Sequence, residues 1–185
     1  MPRKPPAFRA LVAHRDVTFR FSFLISEDWQ RLDLESGGAM YVPDTADLVT
    51  GFGVEATKLD IKVKRGDLKT LEQGFLTGLR SMDRSIVEQH EAEAIENQLI
   101  TMEARHTFRD GDAIRKRWVR LLYRGSTQVR LVAQGSSPAE FDYWEPMFFQ
   151  SMRTFRFGDW WAEAAGLSWV EKAFPDEQGM PEPGP

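Results

Sequence analysis

Apolar and polar residues alternate through VTFRFSFLIS: Val17, Phe19, Phe21, Phe23 and Ile25 share one parity, with Thr18, Arg20, Ser22 and Ser26 on the other. A period of two carried by large side chains predicts a half-buried strand. Shorter runs, WQRLDL from Trp29 and AMYV from Ala39, predict two more strands with Gly37-Gly38 turning between them, and Pro43-Asp44 marks a loop. Between Val49 and Lys64 the parity changes, since Phe52, Val54 and Ala56 precede Leu59, Ile61 and Val63 on the opposite set. Either a bulge near Thr57-Lys58 restores the register, or the strand crosses between layers that bury both faces.

At Gly66-Asp67 the period lengthens. Leu68, Leu71, Phe75, Leu79 and Met82 recur at helical spacing, and Asp67 has the chemistry of an N-cap. Gly74 and Gly78 border that stripe, and each weakens a helix by about 1 kcal/mol relative to alanine. A close approach to the sheet is the expected compensation. A meander of strands follows. SIVEQHEAEAIE is charged, as an edge strand is. In LITMEARHTF the apolar face of Ile100, Met102, Ala104 and Phe108 includes His106. Asp110-Gly111-Asp112 and Gly125-Ser126 then turn AIRKRWVRLLY and TQVRLVAQ into hairpins.

Ser137, Pro138 and Glu140 have the form of a capping box with proline in the first turn. Phe141, Trp144, Phe148, Phe149, Met152 and Phe155 then make one helical stripe, read as core. Burying each such side chain stabilises by roughly 1.5–3 kcal/mol. Pro146 lies inside it, and a kink or two abutting helices are expected there. In the segment GDWWAEAAGLSWVEKAF, Trp160, Ala164, Leu167, Val170 and Phe174 form another stripe flanked by Trp161 and Trp169. It reads either as a helix docked on the protein's own sheet edge or as an anchor for a partner.

These elements divide the 185 residues into a basic arm (1–15), a core domain (16–157), a Trp-rich extension (158–174) and an acidic tail (175–185) predicted to be disordered. Hydrophobic residues at 42% and aromatics at 12% suffice for a core. A net charge of −4 gives no field for nucleic acid, which is not an expected partner. The absence of cysteine excludes disulfides, thiolate nucleophiles and zinc–thiolate sites. With no secretory apolar segment and no run approaching the ~20 residues of a membrane span, a soluble cytoplasmic protein is expected.

Candidate chemistry is sparse. His106 is the histidine best placed for acid–base work, although a hydrogen-bonded core histidine is the simpler reading. Glu88, His90, Glu91 and Glu93 carry metal-capable side chains, but strand periodicity separates them into two faces, so no metal and no cofactor are expected. Gly51-Phe52-Gly53 lies within a strand and is no dinucleotide loop. The basic run around Arg115, Arg117 and Arg120 reads as a solvated sheet face.

The order strand, short strands, long strand, helix, meander and closing helix, with FRFSFLISEDW near the start and FFQSMRTFRF at the end, resembles the PsbP/DcrB-like superfamily over residues 15–157. That group includes photosystem II extrinsic proteins, a Ran-binding nuclear import factor, DcrB proteins and Eag-type secretion chaperones. The resemblance implies an α+β fold, an α-β-α sandwich around a mainly antiparallel sheet, and members that mostly bind proteins. It transfers no site residue. Together these features lead to an expected role as a non-catalytic accessory protein binding another protein, chaperone- or adaptor-like. Arg115, Arg117, Trp160, Trp161 and Trp169 are the contact candidates, and homodimerisation stays open. A carrier of a small apolar ligand and an enzyme using His106 with a neighbouring carboxylate are the alternatives.

Overall fold

A computed structural model of the chain describes residues 3, 5–6, 10–95 and 99–158. Its frame is the meander. Strands β6 (Ile86–Ile95), β7 (Leu99–Asp110), β8 (Ala113–Arg124) and β9 (Thr127–Gly135) pair antiparallel in sequence order, turned at Gly111 and Gly125. Both glycines sit at positive φ, +60° and +58°, which the tight hairpins require. Beyond β9 the sheet continues through β5 (Gly51–Lys58), β4 (Ala39–Val42) and β3 (Gln30–Asp33), giving seven strands in the order β3-β4-β5-β9-β8-β7-β6. As its charge suggested, β6 is an edge. A second sheet of three strands has β2 (Phe21–Ser26) between β1 (Leu11–Asp16) and β10 (Arg156–Phe157).

The two faces of the large sheet are covered at opposite ends. On one face Ile100, Met102, Val119 and Leu121 pack against Leu71, Phe75 and Leu79 of helix α1 (Leu68–Arg80), which lies over β6 and β7. On the other, Phe52, Leu122, Val129 and Leu131 meet Phe141, Phe148 and Met152 of helix α2 (Pro138–Thr154) together with Phe21 and Phe23 of the small sheet. Helix α2 lies over β8 and β9. Among the described residues this offset leaves part of each face uncovered.

The local chemistry departs from the sequence pattern at several points. Residues 17–20 form the β1–β2 turn and Val17 is 65% exposed, so the alternating strand starts at Phe21. No bulge interrupts β5, which pairs with β9 in register to Lys58 and ends. The chain then runs past the β8–β9 turn, where the Leu59 and Val63 amides donate to Ser126 and Gly125 carbonyls. Leu59 and Val63 thereby turn into the α1 core while Ile61 stays exposed, which accounts for the parity change. The described bulge lies instead in β6, at Val87–Gln89. Asp67 accepts from the Lys64 amide at 2.8 Å, closing a 3-10 turn over Arg65–Asp67 rather than capping α1. A Cβ at Gly74 or Gly78 would meet nothing within 4 Å, so the expected close approach to the sheet is not made.

Ser137 caps α2, its hydroxyl accepting from the Glu140 amide at 3.2 Å, but Glu140 pairs with Arg3 at 2.7 Å instead of completing the box. Helix α2 runs unbroken through Pro146. Both Pro146 and Asp142, whose carbonyl loses its amide partner, are on the exposed side where water can solvate it. Phe149 also departs from the expected core stripe and is 46% exposed. The loop before β5 is fixed by Asp47, whose carboxylate accepts from the Thr50 and Ser136 hydroxyls, each at 2.6 Å.

Candidate functional site

The open half of the α1-side face is built by β4, β5, β8 and β9. Alternation in β5 sends Phe52 and Val54 into the α2 core and leaves Gly51, Gly53 and Glu55 on the opposite side. Two glycines there remove the side chains that would fill the surface. The result is a cleft of about 230 Å³ floored by Gly51, Gly53 and Val132, with Met40 and Leu34 on one flank and Arg117 on the other. The two glycines are not equivalent. A Cβ at Gly51 would lie 2.5 Å from the Tyr41 carbonyl oxygen, whereas one at Gly53 would come no nearer than 3.8 Å to any neighbour. Close packing requires Gly51, while Gly53 only keeps the cleft open.

Arg117 is held by Gln134, whose side-chain oxygen accepts from its Nε at 2.7 Å and from Nη2. Gln134 is itself tied to the Val49 carbonyl at 3.3 Å. The guanidinium lies 4.5 Å from the centre of the Phe108 ring. Burial and the nearby Arg130 cation pull its pKa below the ordinary guanidinium value. Among the described residues it has no carboxylate in salt-bridge contact. Arg130, by contrast, pairs with Glu55, which also accepts from the Ser36 hydroxyl at 2.6 Å. Burial pushes Glu55 up, but the Ser36 bond and Arg130 together hold its carboxyl below the usual value. The cleft thus presents one fixed cation over an apolar, glycine-paved floor, beside an ion pair already closed on itself.

Arg115 shares this face but is engaged elsewhere. It donates to the Ser136 carbonyl at 2.6 Å and approaches Asp110 at 3.3 Å, clamping the start of α2 to the β7–β8 turn. Trp160, Trp161 and Trp169 lie outside the described residues. Sequence reasoning passed over Gln134 and Gly53. The signal for them was the Gly-Phe-Gly triplet itself, because alternation puts both glycines on one face.

His106 sits next to Arg117 in the β7–β8 register and is fully buried. Its Nδ1 is 3.4 Å from the Ser85 hydroxyl, and its Nε2 is buried without a hydrogen-bond partner. Burial, reinforced by the Arg117 cation, lowers its pKa to about 4. A neutral, enclosed imidazole beside a cation is not an acid–base dyad. His14, at the rim of the small sheet, is similar. Its Nδ1 is 2.5 Å from the Tyr41 hydroxyl, its ring stacks on Phe23, and burial with Arg31 lowers its pKa to about 4. Among the described residues no three His, Asp or Glu side chains are placed to hold a metal. No described helix is long and apolar enough to cross a membrane.

One antiparallel sheet between offset helices defines an α-β sandwich, and solved structures share it. The solution structure of PsbP (CyanoP) from Synechocystis sp. PCC 6803 aligns with a TM-score of 0.57 and 11% identity over 85% of this chain and 98% of its own. LpqN of Mycobacterium tuberculosis, described as involved in cell envelope biogenesis, aligns at 0.54 and 13% identity over 73% and 81%. The Saccharomyces cerevisiae Ran-binding protein Mog1p aligns at 0.49 and 9% identity over 80% and 95%. No protein-family model matches the chain, and no curated protein matches it by sequence. The chain thus shares its fold with PsbP and LpqN, the α-β sandwich that the resemblance implied.

Proposed function

We propose that this chain is a non-catalytic accessory protein of the cytoplasm that binds another protein on the open half of its sheet, as an adaptor or chaperone. The observation that carries the reading is Arg117, a half-buried cation fixed by Gln134, without a described carboxylate in contact, at the lip of a cleft that Gly53 keeps open. Such a surface suits an acidic side chain followed by a small apolar one. Desolvating a fixed Arg–carboxylate pair gives specificity for register more than raw affinity. The spaces on the described surface are open clefts lined by polar and apolar groups together, which suits a protein surface better than an enclosed lipid carrier.

The test is a pair of substitutions that act on the cleft in different ways. Gly53→Leu fills the floor and Arg117→Gln removes the cation. A partner crosslinked to this face should be lost with both, while thermal unfolding stays close to wild type for Gly53→Leu. A partner retained by both variants would sink the assignment.

A further inference from the structure

Strand β6 ends the seven-stranded sheet, and among the described residues nothing pairs with its outer edge. From Gln89 to Ile95 its inner edge pairs with β7 without a break, so the outer edge presents a regular row of amide and carbonyl groups. Alternation gives this run two unlike faces. Ala92 and Ala94 lie on the α1 side, opposite Met102 and Ile100. Glu91, Glu93 and Ile95 lie on the α2 side, opposite Glu103, Thr101 and Leu99. A regular strand would put Glu88 with His90. The bulge at Val87–Gln89 instead brings Glu88 to the α2 side, 4.0 Å from Lys116, while His90 stays on the α1 side, 3.6 Å from Glu72.

Glu91, Glu93 and Glu103 line one wall of a cleft of about 210 Å³ that continues over Trp118 to Phe149 and Arg153 of α2. Glu103 has Arg120 at 3.5 Å, and Arg120 is itself held by the Met152 carbonyl at 3.0 Å. Burial pushes the Glu103 carboxyl above its ordinary value, and the charges of Glu91 and Glu93 add to the rise that Arg120 and Arg105 oppose. Glu91 and Glu93 have no cation in salt-bridge contact among the described residues. Trp118, 5% exposed, lines the same cleft with its indole Nε1 buried and without a hydrogen-bond partner. The cleft therefore lacks a cation for its carboxylates and an acceptor for its indole. A lysine or arginine head with its water supplies both.

We propose that an extended basic segment of a partner protein pairs antiparallel with the outer edge of β6, its lysine or arginine side chains reaching over Glu91 and Glu93 into this cleft. Side chains directly opposite each other on paired strands stand about 4.5–5.5 Å apart at Cβ. The segment then reads, from its N-terminus, apolar-x-basic-x-basic, with the apolar residue opposite Ile95 and the two intervening residues over the small Ala92 and Ala94. A second copy of this chain does not fit, because antiparallel pairing of two β6 strands sets carboxylate against carboxylate. The Arg117 cleft lies on the other face, and this inference does not rest on it.

The test adds a capped peptide of four valine-arginine repeats to the isotope-labelled full chain and follows it by NMR. Resonances of His90–Ile95 should shift saturably, and alternate amides of that run should exchange more slowly with solvent. The same peptide with every amide N-methylated keeps the charge, loses the strand-pairing donors and should leave these resonances unmoved. Glu91→Arg with Glu93→Arg, both at exposed positions, should weaken the valine-arginine peptide by at least about tenfold and let a valine-glutamate peptide bind in its place. Absence of shifts in β6 would overturn the proposal. Equal binding of the N-methylated peptide, or of spermine, would reduce β6 to a charged face and overturn strand pairing. Undiminished binding to the double variant would place the peptide elsewhere. Shifts in β6 that grow with the protein's own concentration, without peptide, would make a second copy the occupant and overturn the assignment to a basic partner.

Discussion

Replacing His106 by leucine removes an imidazole whose protonation the fold forbids. His106 and His14 are each held at about 4 against 6.5 for an unhindered histidine, in both cases chiefly by burial. The sign follows from where the proton binds. Between pH 6.5 and 4 the unfolded chain takes up a proton at each site and the native chain does not, so stability falls as pH falls through that window. Each pH unit through the window removes about 1.4 kcal/mol per histidine. By pH 5 each histidine therefore costs the native state about 2 kcal/mol, and the two together about 4 kcal/mol. That is a large share of the roughly 5–15 kcal/mol typical of a domain. Glu103 works in the opposite direction, because burial raises its carboxyl pKa. Its contribution is common to both proteins and cancels in the comparison. Urea unfolding at pH 7, 6 and 5 should show the wild type losing about twice as much from the two imidazoles as the variant loses from one, a gap of about 2 kcal/mol at pH 5. Parallel pH profiles for wild type and His106→Leu would refute the claim that His106 is buried and neutral.

Gly74→Ala, exposed in mid-helix with nothing near the new methyl group, should stabilise the protein by about 0.5–1 kcal/mol in chemical denaturation, and Gly78→Ala, equally open but in the last turn of α1, by less. Gly135→Ala should cost about 3 kcal/mol by the same assay, since its Cβ would sit 2.6 Å from the Ser137 carbonyl oxygen and 2.7 Å from the Phe141 Cα where α2 begins. Adjacent phenylalanines of α2 should separate sharply. Phe148→Ala should cost about 4 kcal/mol, and Phe149→Gln, at an exposed ring tilted over Trp118, about 1 kcal/mol. Equal losses at the two positions would contradict the assignment of Phe148 alone to the core.

Where the pattern repeated over many residues, the sequence was readable. The meander, its two glycine turns, the edge character of β6 and both helices could be placed from periodicity, because each is fixed by side chains burying on one face. Short elements were not readable. Strand β1 buries chiefly His14, so its inward signal is a histidine rather than an aliphatic residue, and it passes for part of a basic arm. The parity change after Ala56 has two structural solutions, and only the register of β5 on β9 chooses between them. Phe149 belongs to the α2 stripe by spacing, yet it borders the part of the sheet that α2 does not cover, tilted over Trp118 and 46% exposed. For the candidate site, Arg117 was visible as a charge on a strand, but its lack of a carboxylate partner depends on which residues β5 and β9 bring beside it. Gly53 shows the same dependence, since a glycine in a strand reads as a weakness until the uncovered face is seen.

Docking of another protein on the Arg117 cleft is tested most directly by photo-crosslinking in the native host. Gln128 lies on the same face of β9 as Arg130 and Val132, and is half-buried rather than core. A p-benzoylphenylalanine at position 128 should capture one protein reproducibly. That product should disappear when Gly53→Leu is added to a chain that still unfolds at the wild-type temperature. A crosslink of undiminished yield in the Gly53→Leu background would contradict docking at this cleft.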